Sequence, residues 1–205
     1  NNPPVRKPNQ PLKSMGSLFH HRLIALSLLA LLVGCASLTS EQCRRGDWYG
    51  VGLSDGRAGE SYSRLNEHIR ACREYGVSID EAPYAAGRNE GLRDYCRPDN
   101  AFRTGLAGQR YNHVCPPEID AAFNHYNSSA YTVYRLEQEL HQVDARITDT
   151  ELRLRASNLK DEHRRMLRMD LHDLDRHYDD LRDELRESRR YLEYLRTEAG
   201  LPPWP

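Results

Sequence analysis

The sequence predicts an all-α protein: a small disulfide-stapled cluster of short Gly/aromatic helices, followed by a long antiparallel coiled-coil helical hairpin. Three observations carry this. Two apolar runs at alternating three- and four-residue spacing fill the C-terminal half. An aromatic–glycine pattern recurs between Cys43 and Cys115. Cys43, Cys72, Cys96 and Cys115 stand singly through that same region.

At the N-terminus, residues 1–14 are rich in Pro, Asn and basic side chains, and Met15 reads as the natural start. Residues 1–14 are therefore expected to be an upstream extension. Residues 15–34 resemble a bacterial lipoprotein signal peptide. Arg22 leads the apolar run Leu23 to Val33, and Leu32-Val33-Gly34-Cys35 closes it. A basic lead, a short apolar stretch and a small-residue cleavage site are the parts of such a signal. The run is too short for a transmembrane helix, which needs about 20 apolar residues. The resemblance implies cleavage before Cys35, lipidation of Cys35, and a lipidated linker over 35–42. Ala36, not Asp, follows the cysteine. That implies an outer-membrane lipoprotein facing the periplasm, held to the membrane by its lipid. No cofactor is expected beyond that covalent group.

The formal net charge of −1 leaves no nucleic-acid footprint. Lys160 is the sole lysine after Cys35. With Cys35 lipidated, four cysteines remain in an exported chain, and an even number there points to two disulfides. Four cysteines allow three connectivities, of which the sequential pairing Cys43–Cys72 and Cys96–Cys115 is favoured. No CxxC pair is present, so zinc ligation is not expected.

Residues 43–117 form the Gly/aromatic domain. One copy of its imperfect repeat is Trp48-Tyr49-x-x-Gly52-x-x-Asp55-Gly56-x-x-Gly59. A second is Tyr84-x-x-Gly87-x-x-x-Gly91-Leu92-x-x-Tyr95-Cys96, and a third is Phe102-x-x-Gly105-x-x-Gly108-x-x-Tyr111. A worn fourth lies around Phe123 and Tyr126. Three- or four-residue spacing puts aromatic and glycine on one helix face. Each glycine costs a helix about 1 kcal/mol, so close approach of a neighbouring helix or ring is the expected return. Leu65, Ile69 and Cys72 form one apolar stripe, with Gly76 ending that helix. Ser78-x-x-Glu81 reads as a capping box, and Asp99 or Asn100 as the cap of a helix bearing Phe102 to Tyr111.

The ordered set Cys43, Trp48, Gly52, Asp55-Gly56, Gly59, Cys72, Tyr84, Gly87, Gly91-Leu92, Tyr95-Cys96, Gly105, Gly108, Tyr111 and Cys115-Pro116 resembles a bacterial lipoprotein family, domain of unknown function 2799. The resemblance runs from about Cys43 to Tyr131. It implies location and architecture, and no chemistry, because the family has no assigned activity.

Residues 118–199 read as the hairpin, and 200–205 as a tail. One seam runs Ile119, Ala122, Tyr126, Ser129, Val133, Leu136, Leu140, Val143, Ile147, Thr150, Leu154. The other runs Leu167, Leu171, Leu174, Tyr178, Leu181, Leu185, Ser188, Leu192, Leu195, Ala199. Sustained three-four spacing is a coiled-coil signature. Folded back at Asn158–Leu159, the seams meet in order: Thr150 with Leu167, Val143 with Leu174, Leu136 with Leu181, Ser129 with Ser188. Asn158 is the expected cap of the second helix, with Asp161 and Glu162 in its first turn. Gly200 and Pro202-Pro203 stop that helix, leaving Trp204 beyond it.

No Ser/His/Asp or Cys/His set emerges from spacing, so no enzyme and no catalytic residue is expected. Asp173 and His177 are spaced as a ligand pair, but two ligands do not close a metal site, and none is expected. A third reading is a pH- or metal-responsive arm through the hairpin histidines His141, His163, His172 and His177. The leading expectation is a non-enzymatic structural or protein-interaction role. The hairpin would serve as spacer or docking arm for another envelope protein or a second copy. The alternative is a module for a small ligand or cell-wall glycan, with Trp48, Tyr84, Tyr95 and Tyr111 lining an aromatic cleft.

Overall fold

The computed structural model describes residues 37–203. The expected extension, signal peptide, Cys35 and Trp204 lie outside the described residues. Seven helices are present among those described: α1 (Ser40–Arg45), α2 (Trp48–Ala58), α3 (Arg64–Arg73), α4 (Glu81–Tyr95), α5 (Pro98–Leu106), α6 (Pro117–Leu154) and α7 (Asp161–Glu198). The fold is all-helical, with two disulfides in the N-terminal region and a long antiparallel pair formed by α6 and α7.

α2 and α4 are the first two copies of the repeat, and they pack face to face through bare backbone. A Cβ on Gly52 would collide with the carbonyl of Tyr84, and one on Gly87 with the carbonyl of Tyr49. Gly56 meets the Arg88 carbonyl in the same way, and Gly91 that of Leu53. The arrangement is reciprocal: each helix offers two glycines four residues apart and receives the other's carbonyls. No side chain fits in this seam, which explains why residues costly to a helix stand there. The third copy lies elsewhere. Gly105 of α5 presses on the backbone of α6 at Asn127 and on the Ala130 methyl.

The two disulfides join sequential cysteines. Cys43–Cys72 ties α1 to α3, and Cys96–Cys115 ties the end of α4 to the entry of α6. The loops they close span 29 and 19 residues. Closures of that size stabilise by about 3 kcal/mol each in the chain-entropy account.

Several local expectations are corrected. Asp80, not Ser78, caps α4, its carboxylate accepting from the Ala82 N–H. α5 starts two or three residues earlier than expected, at Pro98, with Arg97 and not Asp99 or Asn100 at the cap. Proline is favoured there because its missing N–H would go unused. α5 ends at Leu106, so Tyr111 lies on the loop beyond it. Lys160, not Asn158, occupies the cap of α7, with Asp161 and Glu162 in the first turn as expected.

The α7 seam follows the reading throughout: Leu167, Leu174, Leu181, Leu185, Leu192 and Leu195 are buried. On α6, Val133, Leu136, Val143 and Thr150 are buried to match. At its base the inward face changes. Ile119 and Ala122 are exposed, and Phe123, Asn127 and Ala130 are buried instead. The reason is a second partner: α5 covers this end of α6. Asn127 secures that contact, its amide donating to Thr104 Oγ1 at 3.0 Å and Gln109 O at 3.1 Å, while its oxygen accepts from the Tyr111 N–H. Phe102 of α5 joins the hairpin core and stacks on Tyr126.

Across the arms Arg189 pairs with Glu137 at 2.7 Å, and His177 Nε2 lies 3.6 Å from Glu139 Oε1. Exposed pairs of this kind contribute about 0–1 kcal/mol, so the apolar seam holds the hairpin. Gly52→Ala and Gly87→Ala are each expected to destabilise the fold by about 2–3 kcal/mol, the overpacking cost exceeding the gain in helix propensity. Urea denaturation of the disulfide-intact protein checks this.

Candidate functional site

The four aromatics expected to line a cleft do not do so. Trp48, Tyr84, Tyr95 and Tyr111 are all buried, Tyr84 completely. They fall into two separate cores: Trp48 and Tyr84 with Leu38, Leu65 and the Cys43–Cys72 disulfide, and Tyr95 and Tyr111 with Phe123 and Cys96–Cys115. Trp48, Tyr84 and Tyr95 stand on the two helices that the glycine seam draws together, whereas Tyr111 is held on the loop after α5 by Asp120 and the Cys115 N–H. Gly59, at φ 68°, ends α2 beneath the Tyr95 ring, where neither a side chain nor a negative φ would fit.

The structure instead assembles a polar network that spacing did not reveal. His68 of α3 is 2 % exposed. Its Nε2 lies 2.8 Å from Asp55 Oδ2, and its Nδ1 lies 2.9 Å from Ser37 Oγ. The Tyr84 hydroxyl donates to the same Asp55 oxygen at 2.8 Å. A carboxylate only accepts, so His68 presents Nε2–H to Asp55. In the neutral ring Nδ1 is then the acceptor, and the Ser37 hydroxyl donates to it. One signal for His68 was available in the sequence. It lies three residues after Leu65 and four before Cys72, on the buried stripe of α3.

Ser37, Asp55 and His68 share the wall of a cleft of about 300 Å3 with Gln42, Arg45 and Arg64. Arg64 pairs with Glu67 through Nη1, but its Nε is buried without a hydrogen-bond partner.

A second network closes the other small core. The Tyr111 hydroxyl donates to Asp120 Oδ1 at 2.6 Å and accepts from the Cys115 N–H at 2.7 Å. The Tyr111 bond, with His113 beside it, holds the Asp120 carboxyl below the usual carboxylate range.

The other residues weighed for chemistry lie apart. Asp173 pairs with Arg176 and His177 reaches across to Glu139, both on the solvated hairpin surface. Among the described residues no helix is long and apolar enough to cross a membrane.

The hairpin tip has a surface of its own. Leu152, Met166 and Met169 are exposed there, Met169 by 68 %. A shallow groove of about 410 Å3 beside them is lined by Ala156, Leu159, His163 and Met166. The tip is also basic. Arg153, Arg155, Lys160, Arg164, Arg165 and Arg168 outnumber Asp161 and Glu162 between positions 152 and 168.

Burial, and then the bonds to Asp55 and Asp120, push the phenols of Tyr84 and Tyr111 well above their ordinary value near 10. Burial raises Tyr95 as well. The folded state therefore keeps protons that the unfolded chain releases above about pH 10. This stabilisation is complete below that pH and is lost as pH rises beyond it. In an alkaline titration followed by tyrosinate absorbance, these three tyrosines are expected to ionise late and together with unfolding, after the exposed ones.

No curated protein and no solved structure matches the chain. A family model does match, over residues 47–132, from the cap of α2 into the first half of α6. That segment, which contains the glycine seam, the Cys96–Cys115 disulfide and the α5–α6 contact, matches the family described as "Protein of unknown function (DUF2799)".

Proposed function

We propose that this protein is a membrane-anchored, periplasm-facing lipoprotein with a structural or protein-interaction role, its hairpin serving as spacer and docking arm. The observation that carries the proposal is the placing of exposed apolar side chains. Leu152, Met166 and Met169 gather at the far end of an arm whose own seam is closed. Helices of 38 residues rise about 57 Å, so the patch stands well away from the stapled domain. Methionine is flexible and polarizable, which suits it to an irregular protein surface. The basic side chains around the patch fit a partner with an acidic, apolar face. The anchor rests on the sequence pattern ending at Cys35, and the two disulfides suit an oxidising compartment.

A second copy is the other occupant with specific support. α7 behind the tip carries Asp170, Asp173, Asp175, Asp179, Asp180 and Asp183, so a basic tip of one arm complements the acidic flank of another.

Photo-crosslinkers at Arg155, Arg165 and Glu187 in the membrane-anchored protein in cells test the proposal. A recurrent adduct with one envelope protein is expected from Arg155 and Arg165, lost when Met166 and Met169 are both changed to Asp. Self-adducts alone would assign the arm to a homo-oligomer. Absence of adducts at all three positions would remove the docking arm.

A further inference from the structure

The Ser37–His68–Asp55 network has the parts of a nucleophilic serine centre, and we infer that it is one: Ser37 is a reactive serine for acyl transfer from small oxygen esters. This goes beyond the docking arm and does not depend on it.

The geometry supplies each role. A nucleophilic serine needs a base within hydrogen-bond reach and a third group that fixes the base. His68 Nδ1 lies 2.9 Å from Ser37 Oγ, and Asp55 fixes the opposite nitrogen at 2.8 Å. The Tyr84 hydroxyl pins the same carboxylate oxygen. Asp55 thereby sets the tautomer, leaving the Nδ1 lone pair toward the hydroxyl. The ring is used in the opposite sense from the familiar serine triad, in which Nε2 faces the nucleophile. The two nitrogens of imidazole can exchange these roles, because either can carry the proton.

Burial and access are divided as such chemistry requires. His68 is sealed from solvent, whereas Ser37 is half-buried and lines the cleft. Arg64 lines the same cleft, its guanidinium held by Glu67, and places a positive charge at the cleft wall. A purely structural network accounts for Tyr84 and Asp55. It does not require that the Ser37 hydroxyl border an open cleft, as it does. At about 300 Å3 the cleft is at the lower limit of ligand pockets, which restricts the acyl group to a short one.

Ser37 Oγ attacks the ester carbonyl while its proton passes to His68 Nδ1. The C–O bond to the alcohol breaks, the alcohol leaves with that proton, and acyl-Ser37 remains. Water attacks the acyl-enzyme, gives its proton to Nδ1, and the acid departs as Ser37 regains the proton.

An alkyl fluorophosphonate tests the centre directly. Ser37 Oγ displaces fluoride, forming a stable phosphonyl ester that peptide mass spectrometry locates. In the disulfide-intact folded protein, Ser37 is expected to be modified at least about 100-fold faster than the exposed Ser128, the scale of general-base assistance. His68→Gln is expected to bring Ser37 down to the Ser128 rate, and Ser37→Ala to remove the modification. Short p-nitrophenyl esters should be hydrolysed with the same dependence on Ser37. Modification of Ser37 no faster than Ser128 in the wild-type protein would overturn the inference. That comparison needs no variant, so it stands even where His68→Gln does not fold.

Discussion

Everything in the N-terminal region depends on one contact, the backbone-to-backbone seam between α2 and α4. Four glycines, Gly52, Gly56, Gly87 and Gly91, let two helices approach until carbonyl oxygens occupy the places where Cβ atoms would stand. Packing this close brings many weak dispersion contacts into range at once, each about 0.1–0.2 kcal/mol. It also fixes the rotation of each helix, because only one face of either can be presented. Asp55 is then delivered to Tyr84 from the opposite helix and to His68 from α3. The disulfides hold the flanking elements in place, but neither spans the glycine seam itself.

Sequence periodicity was most informative where a helix has a single partner. α7 packs on α6 along one stripe for nearly all of its length, with Phe102 of α5 joining at the base, and each leucine of that stripe is buried or half-buried. α6 has two partners. Its distal half obeys the same rule, but at its base the face turned toward α5 takes over, and Phe123 and Asn127 replace Ile119 and Ala122. The periodic signal there is the sum of two stripes offset by one residue, about 100° around the helix, and a single-seam reading follows only one. Caps were legible to within a turn, since Ser78 and Asp80, or Asn158 and Lys160, differ in a local choice that tertiary contacts decide.

The repeat was legible as a close-approach device, but its pairing was not. Nothing in the third copy shows that Gly105 faces α6 while the first two copies face each other. For the same reason the aromatic residues read equally as cleft or core, and burial alone separates the two. The Ser37–His68–Asp55 set was beyond reach of spacing. Its members come from the segment before α1, from α3 and from α2, and only the stapled packing of those elements makes them neighbours.

Between Pro117 and Gly200 there is no glycine or proline, and α6 passes without a break from the α5 contact into the arm. The arm therefore has no joint of its own. A lever of about 57 Å turns each degree of tilt at its base into about 1 Å at its tip. Any shift in how α5 and Phe102 seat against α6 would be amplified there, and a load on the tip would return as torque on the stapled domain. Distance and direction at the far end are thus set by a handful of packed side chains around Asn127.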